Sequence, residues 1–201
     1  FDLETRTFVA PEDGGFLRPE GKGGMTWVDA DTALVATDTG PGSLTTSGYP
    51  RTARRWRRGT PLTETEVLFE AGADDMAVGV GYDATPGHER GYVFRMMGFY
   101  TSETLLLGDA HVGTELHRVA VPDSAEPAVW RDHLLVHLRD DWAPGGDGTA
   151  TYPAGSLLVT DLAAYDAGEP RFTPLFTPTA STSLAGWTRT RHRVVLVTLS
   201  D

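Results

Sequence analysis

The feature that most constrains this chain is that it repeats. WVDADTALVATD begins at Trp27 and WRDHLLVHLRDD at Trp130, 103 residues further on. Tyr49-Pro50 and Tyr152-Pro153 stand at the same separation. Leu68-Phe69 and Leu175-Phe176 are 107 apart, and a net insertion of four residues around the longer second hairpin loop (DLAAYDAGEP in place of GTPL) accounts for the difference. Half of 103 is a unit of about 50 residues, so a middle unit should open near residue 78, at DMAVGVGYDA, and LAGWTRTRHRVVLVTLSD opens another at Trp187.

Within each unit, short β-branched and aromatic runs are separated by Gly, Pro, Asp and Ser clusters, the pattern of an all-β chain. Only LAAYDAG (162–168) has the character of a helical turn. Four strands every 50 residues is the size of a propeller blade. A blade cannot bury both of its faces alone and needs neighbours. The fold expected is a partial β-propeller of four-stranded antiparallel blades, divided as 20–71, 72–122 and 124–178. Residues 1–10 would form the outer strand of a preceding blade and residues 183–201 the inner strands of a following one. A β-sandwich is the alternative for strands of this length.

Composition narrows the function classes. The net charge is −11, which repels nucleic-acid phosphates and anionic membrane surfaces, so neither partner is expected. No apolar run approaches the length of a membrane span, and no signal-like start is present. Cysteine is absent, which removes disulfides and thiolate metal sites and fits a reducing cytoplasm. Asparagine and glutamine are absent too, and Lys22 is the single lysine beside sixteen arginines, as GC-rich coding would give. The chain opens on Phe1 with a strand-like segment already under way, as an excised piece would.

Three stretches carry a family resemblance: FDLETRTFV, EDGGFLRPEGKGGMTWVDADTALVATDTGPGSLTTSGYPRTARRWRRGTPL and YPAGSLLVTDL. They resemble the propeller domain of the bacterial prolyl oligopeptidase family of serine peptidases. That resemblance implies a seven-bladed propeller acting as a lid over an α/β-hydrolase domain, whose Ser-Asp-His triad cleaves short peptides after proline. It also implies partners: the catalytic domain and the remaining blades of the same polypeptide, and short peptide substrates, with no cofactor. The hydrolase nucleophile sits in G-x-S-x-G. The nearest stretches here, around Ser43 (PGSLT) and Ser156 (AGSLL), lack the closing glycine. No catalytic residue is therefore assigned. Family propellers place substrate-facing side chains near the starts of inner strands; the matching stretch here is Gly21-Lys22-Gly23-Gly24, and no binding role is transferred to it.

Residues 40–62 hold five arginines within eight positions, Arg51, Arg54, Arg55, Arg57 and Arg58. The stretch is not a Walker loop, since the lysine and the following helix are missing. If Gly59–Leu62 is a four-residue hairpin turn, Arg57 stands opposite Glu64, Arg55 opposite Glu66 and Arg51 opposite Glu70. That is a solvated charge ladder in which Arg55→Ala should cost under about 1 kcal/mol. A contact with a catalytic domain is the alternative. Trp56 would then lie on the other face, between the stems of Arg54 and Arg58, and pack against an adjacent blade.

The remaining candidates have ordinary readings. His133 and His137 are four apart on a strand, too far to share a metal ion. Asp109, His111 and His117 cross a turn and read as a surface loop. The carboxylate pairs Asp29/Asp31, Asp74/Asp75 and Asp140/Asp141 fall where strands end, which suits turns better than glycosidase chemistry. Trp27, Trp130 and Trp187 occupy equivalent repeat positions and are expected in blade-to-blade packing. The function expected is a gating propeller that excludes large substrates from a peptidase active site. The alternative is a stand-alone binding module using the blade loops. Bare blade faces also predict self-association of the chain.

Overall fold

The computed structural model describes residues 1–146 and 150–201. It divides into two compact units, Phe1–Val119 and Ala120–Asp201. Among the described residues no helix is long and apolar enough to cross a membrane.

The first unit holds two four-stranded antiparallel sheets in which sequence order is spatial order. One comprises β1 (Gly23–Trp27), β2 (Thr32–Thr37), β3 (Thr52–Arg57) and β4 (Glu66–Glu70); the other comprises β5 (Ala77–Asp83), β6 (Arg90–Met96), β7 (Ser102–Leu107) and β8 (Leu116–Arg118). β2 reads TALVAT and is buried at every position. A strand without polar alternation is a strand covered on both faces. Leu34 of β2 joins Leu68, Leu107 and Ala110 in one core cluster, against which Val80 and Tyr82 pack. Ala53, Ala71, Val78, Val93 and Leu105 form a second, with Phe69 against it. Both clusters draw on both sheets, so each sheet supplies the cover that the other needs.

The second unit repeats the pattern with β9 (Glu126–Trp130), β10 (His133–His137), β11 (Leu157–Asp161) and β12 (Thr173–Phe176). The helical turn expected at 162–168 is α1, Leu162–Asp166, and the Asp161 carboxylate caps it by accepting the Ala164 N–H at 2.9 Å. A separate two-stranded sheet, β13 (Thr182–Arg189) and β14 (Val194–Ser200), completes the unit. The repeat extends into the long loops. A Leu44–Pro50 bridge closes the loop between β2 and β3, and a Trp142–Tyr152 bridge closes the loop between β10 and β11.

Residues 1–10 differ from the strand expected there. They form a turn closed by one bridge, between Asp2 and Thr7. Asp2 dictates this local geometry by accepting the Glu4 and Thr5 N–H groups.

Phe16, in the connection to β1, has a larger role. Its ring meets Trp56 edge-on at 4.9 Å and Trp27 at 5.1 Å, and the Arg58 guanidinium lies 5.0 Å from it. Trp56 is buried, and its ring packs against Phe16. The indole N–H is satisfied by the Thr60 carbonyl at 2.7 Å. Trp27 is 49% exposed, so its expected place in blade-to-blade packing is not the one observed. The end of β1 leaves the ring at the rim, where Phe16 covers one side. Trp56→Ala should therefore destabilise the chain by about 3–5 kcal/mol, read as a shift in urea unfolding midpoint, while Trp27→Ala costs clearly less.

Candidate functional site

The arginine-rich stretch contains a buried electrostatic construction, and it differs from a surface ladder. Arg55 and Glu66 face each other across β3 and β4, as expected, with Nη1 2.6 Å from Oε2. The register then slips at a bulge between Ala53 and Arg54, so Glu70 stands opposite Thr52. Arg51 still reaches Glu70 in an ion pair. The third expected pair does not form. The connection is longer than a four-residue turn, Glu64 sits in a 3-10 turn (Leu62–Glu64), and Arg57 pairs with Thr32 of β2. The expected register holds at Arg55 and Glu66 and is lost on either side, where the connection is longer than four residues and a bulge consumes one residue.

The larger correction concerns burial. Arg55 is 2% exposed. Its Nε donates to the Ala110 carbonyl at 2.8 Å, and Nη2 to the carbonyls of Asp109 (3.3 Å) and Gly113. Arg57 donates to the His111 carbonyl at 2.5 Å, and the His111 ring stands 3.1 Å from Asp29. A guanidinium has five fixed donors and no acceptor. Here it serves as a cationic plug that gathers the carbonyls of residues 109–113 and ties the β7–β8 loop to the first sheet. The partner carbonyls belong to a loop 55 residues away, beyond the reach of any hairpin argument.

The two serines nearest to a nucleophile motif are structural. Ser43 Oγ lies 2.7 Å from both Asp38 Oδ1 and the Gly40 carbonyl and accepts the Thr39 N–H. The Gly40 amide and the Ser43 hydroxyl hold the Asp38 carboxyl below the usual value. Ser156 is fully buried; its backbone is hydrogen-bonded to Pro153 and Leu138, and its hydroxyl has no hydrogen-bond partner among the described residues. A serine without an adjacent base is a weak nucleophile.

At the start of β1, Gly23 has φ of 122°, and a Cβ there would sit 2.1 Å from the Ala36 carbonyl oxygen. A side chain is excluded at this point by the backbone of β2. Lys22 is held at the rim with its ammonium 3.8 Å from the Tyr49 ring centroid and 3.4 Å from the Ser47 carbonyl.

The other candidates separate. His133 and His137 lie on β10; the His137 ring faces Glu126 at 3.3 Å. Burial works against the Glu126 charge, but Arg139 and His137 hold its carboxyl below the usual range. Asp109 accepts the backbone N–H of His111, while His117 on β8 turns to Glu115 at 3.7 Å, so Asp109, His111 and His117 do not converge. Asp140 accepts the Ser124 hydroxyl and Asp141 the Ala154 N–H. Asp75 accepts two Arg95 donors at 3.0 and 3.1 Å and the Gly72 N–H. Arg95 lowers its pKa first; burial opposes this, and the Gly72 amide adds to it.

Sequence reasoning did not find one feature. A cavity of about 600 Å³ opens among Val28, Asp29, Tyr82, Glu89, Asp109 and His111. Burial and the surrounding carboxylates Glu89, Asp29, Asp109 and Asp83 raise the Tyr82 pKa. Asp29 is shifted down: burial resists, but the Asp31 amide and the Thr32 hydroxyl and amide prevail, with His111 beside it. A glycosidase acid needs a raised carboxyl pKa, and Asp29 and Asp75 are both moved the opposite way.

No protein-family model matches the chain. Over its full length it is 30% identical to an uncharacterized peptidase of Sinorhizobium fredii, of which it spans 28%. It superposes with a TM-score of 0.84 on a post-proline cleaving enzyme from Rickettsia typhi, at 23% identity, covering all of this chain and 30% of that one. A prolyl endopeptidase structure gives 0.59 at 17% identity over 87% of this chain and 24% of the other. The class defined by fold and relatives is an all-β partial propeller of four-stranded antiparallel blades. In fold the chain is similar to the propeller portion of these peptidases, and it spans under a third of their length.

Two outcomes follow from the ion pairs. Arg55→Ala should cost about 3 kcal/mol, because it strands buried carbonyls, whereas Arg51→Ala should cost under about 1 kcal/mol; urea unfolding separates the two. Asp75→Asn should cost about 1–2 kcal/mol at neutral pH. A carboxyl with a depressed folded-state pKa stabilises above its unfolded value and loses that contribution as pH falls through the folded one. The stabilities of the parent and Asp75→Asn chains should therefore converge as pH drops below 3.8, the ordinary value for this carboxyl.

Proposed function

We propose that this chain is the substrate-gating propeller segment of a cytoplasmic bacterial serine peptidase that hydrolyses short proline-containing peptides. It is not catalytic by itself. The observation that carries this reading is the similarity along the entire chain to a peptidase more than three times its length. In this reading the blades are 20–71, 72–122 and 124–178. They form part of a ring whose narrow opening admits short extended peptides and turns folded proteins away. The catalytic α/β-hydrolase domain and the remaining blades belong to the same polypeptide. Lids of this kind gate access to a reacting centre without touching the reacting atoms.

Two features of the chain support the division of labour. G-x-S-x-G is absent from the sequence, and Ser43 is bound into a turn with no imidazole among its hydrogen-bond partners. The test uses a fluorophosphonate probe on the isolated 201-residue chain, together with a reading of the open reading frame that encodes it. The expected result is no labelling of Ser43 or Ser156, with a G-x-S-x-G motif followed by Asp and His elsewhere in the frame. Stoichiometric labelling of either serine, or a frame without that motif, overturns the proposal. The second of these outcomes would leave a stand-alone binding module.

A further inference from the structure

The cavity of about 600 Å³ beside Tyr82 is lined from residues 28–111, all within the first unit. Three connections build it. The β1–β2 turn brings Asp29, the β5–β6 hairpin brings Tyr82, Glu89 and Arg90, and the β7–β8 loop brings Asp109 and His111. A volume of this size suits a small molecule. Its walls are fixed by contacts within the chain. The Arg55 guanidinium holds the carbonyls of Asp109 and Ala110, and Glu89 Oε2 accepts the Gly87 N–H at 2.9 Å. A site held in place this way loses little freedom when a ligand enters.

The charged groups of the lining differ in what they still need. Asp29 is engaged, by the Asp31 N–H at 2.7 Å and the His111 ring at 3.1 Å. Asp109 spends one oxygen on the His111 N–H at 2.8 Å, as Glu89 does on Gly87. Each of these two carboxylates has a second oxygen able to accept. Arg90, opposite Asp83 in the β5–β6 ladder, presents the converse need. Its Nη1 is buried and has no hydrogen-bond partner among the described residues. A donor removed from water without an acceptor bears the full cost of desolvation.

These needs select the ligand. An inorganic anion would answer Arg90 but be repelled by the carboxylates, which together with burial raise the Tyr82 pKa. A simple amine would answer Asp109 and Glu89 and leave Arg90 without an acceptor. Among the described residues no three carboxylate or imidazole groups are arranged to hold a metal ion. We propose that this cavity binds a small zwitterion of dipeptide size, its ammonium on Asp109 and Glu89 and its carboxylate on the Arg90 guanidinium. A carboxylate can take two donors of that planar fork at once. The proposal requires binding only and is independent of any peptidase role.

Isothermal titration calorimetry of the 201-residue chain with alanyl-alanine at low salt should show one-site binding. Acetylation of the dipeptide's amine and amidation of its carboxyl group should each weaken binding about tenfold. This ligand series tests the proposal on the parent chain, whatever any variant does to folding. Arg90→Met should weaken the dipeptide about tenfold and leave its amide unaffected. Glu89→Gln with Asp109→Asn keeps the acceptors for the Gly87 and His111 amides and should abolish the preference for a free ammonium. Unchanged circular dichroism spectra establish that these variants remain folded. Absence of binding at millimolar dipeptide overturns the proposal. So does an amide or an acetylated dipeptide that binds as tightly as the zwitterion, which would leave a plain cation or anion site, or dipeptide binding undiminished by Arg90→Met.

Discussion

A four-stranded antiparallel sheet made from these segments has two apolar faces, and everything else in the structure answers to that condition. β2 is buried at all six of its positions, so the sheet containing it is stable only when something packs on either side. In the first unit the answer is a second sheet of the same kind. Leu34 and Leu68 from one sheet close against Leu107 from the other, and Ala53 and Ala71 against Val78, Val93 and Leu105. Burying a Leu or Val side chain is worth roughly 1.5–3 kcal/mol, so these contacts decide the arrangement of the sheets before any polar interaction contributes.

Arg55 shows how a charge can be accommodated within such packing. Its position on β3 points it between the two sheets, where an aliphatic residue would be ordinary. The cation is tolerated because its donors are consumed by the carbonyls of Asp109, Ala110 and Gly113 together with the Glu66 carboxylate. The carbonyls of the β7–β8 loop become the lining of a buried cation site. The conformation of the β7–β8 loop and that of β3 are consequently coupled. Arg57 and the His111–Asp29 contact extend the same coupling toward the rim.

The polar groups that resemble chemistry serve structure in the same way. Ser43, Asp38 and Gly40 form a self-satisfied turn; Asp75 and Arg95 neutralise each other beside Gly72; Gly23 exists to let β1 approach β2. Each of these groups is satisfied by neighbours within its own turn or sheet.

The repeat made the all-β character, the strand count per unit and the helical turn at 162–168 legible, because spacing and side-chain alternation are local properties. The Arg55–Glu66 pairing was legible for the same reason: both residues flank one hairpin. The bulge beside Arg54 was not, since a one-residue slip leaves no mark in composition. The sequence by itself determined which segments become strands and which faces of them are apolar. Only the tertiary structure decided that Arg55 is buried rather than solvated, that Trp56 is covered by Phe16, and that Trp27 stands at the rim. Those outcomes depend on what residues far along the chain bring to a face, and side-chain periodicity specifies a face without specifying its cover.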